Sequence, residues 1–547
     1  MAKRLFGMET EYAVDGRTTT YDAVSPRDIL AWQLIDEARL QLKHLRDFGE
    51  GMFLENGSRL YIDSGYHPEL STPECADPWD VVRYILAGER ILLDLAGKLE
   101  SRKPGTELQF FKCNVDYSGA GTTWGCHESY LHRMSPEKLS EEIIPHLVSR
   151  IIYTGAGGFD SLAAGLTFTL SPRVPHLENV VSESSTSARG IFHTKDESLS
   201  GGGYHRLHLI CGESLCSQTA MWLKVATTAL VVAMAEAGIN LSDTVRLVAP
   251  LTALKGFASD PSCKAKAIVA GRRWMTAIEI QRFYLESAEA NLRAPFMPFW
   301  AEEACREWRS ILDRLEKGHE AVNTTLDWAI KLSLYKDHAA RQGFTWESLP
   351  HWTHIHKRLD AALGYPANFG ANISMETLFE ENTIVRDEAR ALAPYLKEKG
   401  LRWLDLNRFL LLRRQLFEID TRFGQLGEKG IFSKLSASGV LTHRMEQVGD
   451  IRKFVTRPPA SGRAHLRGEF IRNSDADTSA YECDWQGVWD TRNKRLLDLS
   501  DPFASKEEWR KLDEKAMDMF DLIPAGLRER IRYLEGARSY TCSYANR

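Results

Sequence analysis

The chain is poor in several features that carry function in other proteins. Its nine cysteines among 547 residues include no CxxC pair and are an odd number. A disulfide framework and a structural zinc site are therefore not expected, and a reducing cytoplasm fits the thiol usage. No apolar run is long enough to span a bilayer; the longest, about 226–235, is half the needed length. The first residues, Met1-Ala2-Lys3-Arg4-Leu5-Phe6-Gly7-Met8-Glu9, reach an acid too early for a secretory signal. The formal net charge is only −5, from 69 basic and 74 acidic side chains. Such a balance offers no general attraction for nucleic acid or a membrane surface, so neither is expected as a partner. A GxxxxGK[ST] loop is missing, which excludes the P-loop route to nucleotide. The stretch Thr154-Gly155-Ala156-Gly157-Gly158 lacks the full GxGxxG pattern and reads as a turn, and Gly201-Gly202-Gly203 as a flexible loop. Neither internal repeats nor low-complexity segments are evident.

What is present is an ordinary globular composition, 43% hydrophobic and 26% charged. The length allows two to four domains, or one large core with a small companion. The pattern predicts a strand over 4–12, a helix over 25–46 opened by Ser25-Pro26, a strand over 59–63 and an amphipathic helix from Pro78 to about Leu99. A second alternating stretch, 108–116, projects Lys112, Asn114 and Asp116. A strand at 205–211 precedes a long apolar helix, about 217–237, stopped by Gly238. From 276 to about 334 the pattern is helical, with Trp300, Trp308 and Trp328 as packing anchors. Residues 346–405 read as a less regular insertion, 406–423 as a further helix, and 464–470 and 484–490 as short strands of a small C-terminal domain. The expected division is a catalytic domain over 1–445 and a small domain over 446–547.

Two strands stand out because side chains alternate faces along a strand. Glu9 and Glu11 share one face, with Phe6, Met8 and Tyr12 on the other. Arg59, Tyr61 and Asp63 share one face, with Leu60 and Ile62 turned to a core. Further polar residues come from Glu69, Asn114, His127/Glu128, Arg206/His208 and Arg467/Glu469. A single Glu-x-Glu is ordinarily a solvated face, and a single strand histidine is ordinarily a satisfied core or surface residue. Repetition across several strands with clean apolar faces points instead to bound charge. Dense carboxylates repel unless cations sit between them. Oxygen donors favour Mg²⁺ or Mn²⁺ over Zn²⁺, and phosphoryl chemistry on Mg-ATP is the use that fits. Cys126 beside His127 is a poor nucleophile pair, since neighbours on a strand face opposite ways.

Gly7-Met8-Glu9-Thr10-Glu11-Tyr12, Asn56 to Asp63, His67 to Cys75, Trp124 to Tyr130, His193 to Glu197, Tyr204 to His208 and Arg463 to Phe470 together resemble the family of Pup ligases and Pup deamidases/depupylases. The resemblance covers roughly 1–345 and 405–505. It implies an α+β fold: a large glutamine synthetase-like domain with a curved antiparallel sheet flanked by helices, plus a small C-terminal domain. It implies Glu9, Tyr61 and Glu69 as metal ligands, Arg59, Thr72 and Trp485 as ATP contacts, and Asp63 as the catalytic carboxylate. Arg206 and His208 join the nucleotide-binding set. The implied cofactors are ATP and Mg²⁺. The implied partners are a small ubiquitin-like modifier of the Pup type and lysine-bearing protein targets. In the ligase branch, ATP phosphorylates a Glu side-chain carboxylate of the modifier and a lysine amine displaces the phosphate. In the alternative branch, the same aspartate and bound nucleotide serve a deamidase or depupylase. The short segment between Tyr12 and Asn56, the Gly125-Cys126-His127-Glu128 order and Asp501-Pro502-Phe503 are ligase-like. Ser71 to Cys75, Ala87-Gly88-Glu89-Arg90 and Arg189-Gly190 are depupylase-like.

Overall fold

Alternating apolar and polar residues pair into one large sheet whose two faces differ in chemistry. The computed structural model describes residues 4–17, 27–183, 188–194, 203–363, 383–474 and 478–512. Among them a 13-stranded sheet runs in the order Asn179–Ser182, Gly190–His193, His205–Leu209, Cys126–His132, Phe6–Glu11, Pro68–Ser71, Arg59–Ile62, Met52–Leu54, His44–Arg46, Tyr481–Cys483, Gly487–Asp490, Arg495–Asp498 and Trp509–Lys511. Pairing is antiparallel except between Asn179–Ser182 and Gly190–His193, and between His44–Arg46 and Tyr481–Cys483. The fold is α+β, as expected, and the C-terminal strands extend the same sheet through Glu482 opposite Arg46.

One face of the central strands is apolar. Phe6, Met8, Cys126, Tyr130, Leu207 and Leu209 enter the largest core together with Trp222 and Leu230. Leu60, Leu70 and Met52 enter a second core with Leu92, Leu95 and Leu99. The helix Pro78–Arg102 serves both cores; Asp77 caps it by accepting the Asp80 N–H, with proline in its first turn. The helix Gln218–Glu236 lies almost wholly inside the protein, capped by Ser217 and followed by Gly238 at φ 79°. Longer than the 226–235 run read from the sequence, it is the one described helix that by length and composition could cross a membrane, but 89% of its apolar window is buried in the core.

Several expected elements differ. The 25–46 segment is not one helix: Arg27–Gln41 is helical, and His44–Arg46 is a strand because Met52–Leu54 and Tyr481–Cys483 take its backbone groups. The Ser25-Pro26 cap lies outside the described residues. The 108–116 strand is shorter, Glu107–Phe111, and pairs with Ala13–Arg17 in a separate ribbon. Residues 464–470 are not a strand but part of the helix Arg463–Asn473. There Arg463 and Arg467 stand one helical turn apart and both reach Glu74, as i, i+4 neighbours on a helix can. The described parts of the 346–405 segment are more regular than the sequence suggests, with helices Leu349–Leu363 and Thr383–Lys399 packed beside Leu404–Phe423 around Trp352 and Phe409. Gly157 has φ 71°, and a Cβ there would lie 2.5 Å from the Trp328 backbone, so this glycine run serves close packing.

Candidate active site

The polar face is organised by strand register. Glu9 pairs with Ser71 on one side and His127 on the other, and Ser71 pairs with Arg59. One step along, Glu11 pairs with Glu69 and Glu69 with Tyr61. Two rows of side chains therefore cross neighbouring strands, with three carboxylates close together. Ligand atoms of Glu11, Glu69 and His127 lie within 4.8 Å of one another, as do those of Glu11, Asp63 and His67, and of Glu9, His127 and His208. Shared members link the three groups into one cluster holding Glu9, Asp63 and Glu69.

Charge compensation is uneven across the cluster. Glu9 pairs with Arg206 at 2.7 Å. Burial raises its pKa, but Arg206 first, then His127 and His208, hold the carboxyl well below the usual range. Glu11 accepts the Gly125 N–H at 2.8 Å. Burial opposes its ionisation, but a hydrogen bond with His67 and the charges of His127 and Arg173 lower it to about 2. Glu69 has less help: burial, then Glu11 and Glu9, push its pKa well above the ordinary value against a hydrogen bond with Tyr61 that works the other way. Its Oε1 is buried and makes no hydrogen bond. His208 is buried with both ring nitrogens unbonded, and burial followed by Arg206 lowers its pKa well below normal, leaving a neutral imidazole. An orphaned carboxylate oxygen among three acids, with neutral imidazole nearby, suits a divalent cation.

Asp63 lies at the start of the hairpin turn. Its Oδ1 accepts the N–H groups of Gly65 at 2.8 Å and His67 at 2.7 Å. Its Oδ2 lies 3.1 Å from His67 Nδ1, which is also 3.7 Å from Glu11. Burial works against a charged His67, yet the hydrogen bonds it donates to Asp63 and Glu11 raise it to about 9. An imidazolium thus braces both carboxylates. Neither His67 nor Glu11 was assigned a role from sequence; the signal available was their phase with Asp63 and Glu9.

A recess beside the cluster is lined by Gly7, Glu9, Thr72, Arg206, Arg463 and Trp485. The Thr72 hydroxyl accepts the Met8 N–H at 3.1 Å, fixing two strands at its wall. Trp485 stands edge-on to Phe53 at 5.0 Å, with the Arg467 guanidinium over its ring. Arg59 and His208 do not line this recess. Arg59 lies over the Tyr61 ring at 4.2 Å and pairs with Asp47 at 2.6 Å. Asp47 has no sequence signal of its own.

Other expected members of the polar constellation face elsewhere. Glu128 turns to the apolar side, where both oxygens meet Arg150 at 2.6 and 2.8 Å, because neighbours on a strand alternate. Asn114 is buried and bonded to the Ser214 backbone. Arg467 and Glu469 are helical and diverge, to Glu74 and Arg472 respectively.

The fold and this face define an α+β protein with a densely ionisable cluster on a large sheet. The chain belongs to the Pup ligase family. The family model described as Pup-ligase protein matches residues 4–394 and 389–489. A Pup--protein ligase of Acidimicrobium ferrooxidans is 31% identical over 520 residues, covering 93% of this chain and 97% of the relative. One of Paenarthrobacter aurescens is 29% identical over 525 residues, covering 93% and 98%. Among solved structures, the complex between the prokaryotic ubiquitin-like protein Pup and its ligase PafA is similar at TM-score 0.68 and 23% identity, covering 100% of this chain and 98% of that one. PafA in complex with ADP gives TM-score 0.63 at 24% identity, covering 90% and 93%.

Proposed function

We propose that this chain is an ATP-dependent isopeptide ligase that phosphorylates a Glu side-chain carboxylate of a Pup-type modifier and joins it to a lysine of a target protein. The observation that carries this reading is the register-matched cluster of Glu9, Glu11 and Glu69 beside Asp63 and Arg206 in a chain of the Pup ligase family. Its curated relatives are named Pup--protein ligases, and its structural neighbours were solved with Pup and with ADP.

A free carboxylate resists amines because oxygen leaves poorly; phosphorylation supplies a leaving group. The attacking lysine arrives as an ammonium and must lose a proton, and Asp63, fixed by two backbone N–H groups and His67, is the base assigned to take it. Arg206 and Arg59 supply positive charge toward the phosphoryl oxygens. Thr72 and Trp485 hold the nucleotide, the indole offering an aromatic surface to the base. Mg²⁺ fits Glu9, Tyr61 and Glu69, with the unbonded Glu69 Oε1 as the donor that lacks any other partner, and when bound it offsets phosphate charge. His127 and His208 adjoin this set. The cytoplasm, where ATP and reduced thiols coexist, is the compartment that fits.

The test is direct. The purified chain with Mg-ATP, a Glu-ending Pup-type modifier and a lysine-bearing protein is expected to form a covalent conjugate and release ADP. Turnover of ATP without conjugate for any Glu-ending modifier, or release of ammonia from a Gln-ending one as the dominant reaction, overturns the ligase assignment.

A further inference from the structure

The turn that carries Asp63 holds an ill-suited residue. Asp63-Ser64-Gly65-Tyr66 connects Arg59–Ile62 to Pro68–Ser71, and the Tyr66 N–H donates to the Asp63 carbonyl at 3.2 Å. Tyr66 has φ 60°, in the left-handed region. There a bulky side chain meets backbone, and glycine or asparagine would sit without that strain. The ring gains only partial burial in return, because Tyr66 is 52% exposed. The next residue, His67, is 8% exposed and turned inward onto Asp63. Among the described residues with large exposed apolar side chains, Tyr66 is the one in the turn with the base. Strain retained at an exposed site beside catalytic groups points to a use for that side chain.

We infer that the Tyr66 ring is a contact for the acceptor lysine, an inference that rests on the ligase reading above. A lysine reaches Asp63 as an ammonium on a flexible apolar stem. Asp63 and Glu11 attract the charge but offer nothing to the four methylenes. An aromatic face at the lip of the turn answers both needs, packing on the stem and facing the cation. The position is also held firmly. The Asp63 carboxylate ties down the Gly65 and His67 amides. A Cβ on Gly65 would lie 2.7 Å from the His67 ring. Ring and base therefore share one rigid turn, and Tyr66 selects acceptors by their lysine while leaving activation of the modifier alone.

The experiment compares wild type, Tyr66→Gly and Tyr66→Phe, as full chains with Mg-ATP and a Glu-ending Pup-type modifier, in two reactions. One is conjugation to a lysine-bearing protein. The other is trapping by hydroxylamine, a small uncharged nucleophile whose nitrogen displaces phosphate from the acyl phosphate and leaves a hydroxamate. Tyr66→Gly is expected to raise the KM for the lysine acceptor by about tenfold. Its hydroxamate rate should stay within about twofold of wild type. Its thermal midpoint should be at or above wild type, because strain is relieved. Tyr66→Phe should behave as wild type, since the ring is kept. An unchanged acceptor KM in Tyr66→Gly overturns the inference. So does an equal loss of both reactions, or a Tyr66→Phe variant as impaired as Tyr66→Gly. A wild-type chain that forms no hydroxamate overturns the ligase reading itself, and the inference with it.

Discussion

Glu69 and Glu128 stand two strands apart in the same sheet, both almost completely buried, and their surroundings are opposite. Glu128 faces the apolar side, where Arg150 grips both oxygens, the Tyr130 hydroxyl donates at 2.6 Å and Lys224 stands 4.0 Å away. Burial raises its pKa, but Arg150 and then Lys224 more than offset this and bring it below normal. Glu69 faces the polar side among other acids, with an unbonded oxygen and a pKa driven well upward. Both are buried carboxylates on strands, yet one is closed by protein partners and the other is left open. Buried charge with every partner in place is structural; buried charge with a partner missing is where a ligand belongs.

The largest expected effect separates chemistry from binding at the open end of this comparison. Asp63→Asn keeps an oxygen for the two turn amides but removes the base. Conjugation should fall by roughly 10²–10⁴-fold while nucleotide affinity is retained. Turnover and ATP titration check it, and normal turnover would mean that Asp63 is misassigned. Next, Glu128→Gln should leave Arg150 uncompensated and lower stability by about 3–5 kcal/mol in denaturant unfolding. Glu69→Gln should instead leave metal-free stability equal or higher, because it removes repulsion, and weaken Mg²⁺ binding by isothermal titration. Equal destabilisation by the two variants would dissolve the contrast.

A third carboxylate sharpens it. Glu74 ties the central sheet to the helix Arg463–Asn473, pairing with Arg463 at 2.5 Å and Arg467 at 2.6 Å. Burial opposes its charge, but Arg467 and Arg463 hold its pKa at about 2. A folded-state pKa below the unfolded value means that its contribution is complete above the unfolded pKa and lost as pH falls toward 2. Glu74→Gln should therefore cost on the order of 2 kcal/mol at neutral pH and flatten the acid limb of the stability curve. A curve that keeps its wild-type slope below pH ~4.5 would show that the pair contributes little. The smallest effect is at the recess. Trp485→Ala should raise the ATP concentration needed for half-maximal turnover by about tenfold, with little change in kcat, through lost aromatic contact. An unchanged requirement would place the adenine elsewhere.

Much of this was legible from the sequence because strand alternation is a local property. Glu9 with Glu11, and Arg59 with Tyr61, share faces in the structure as their phase requires, and Phe6, Met8 and Leu60 turn to the cores. The same rule applied strictly would have turned Glu128 away from His127. The Arg463–Asn473 helix was misread because short alternating stretches fit both periods. Asp47 and the Glu74 clasp had no local signal, since their partners lie 12 and almost 400 residues away.

The sequence by itself determined which face each strand residue takes, the apolar helices that cover one face, and the family, because these follow from periodicity and motif order. Only the tertiary structure decided which strands become neighbours, and so that Glu11, Glu69 and Tyr61 stand in one row while Glu128 closes onto Arg150. It alone put Tyr66 into a left-handed turn beside Asp63. Strand pairing and turn closure are made by backbone hydrogen bonds between distant or tightly bent segments, and no single stretch of side chains encodes them.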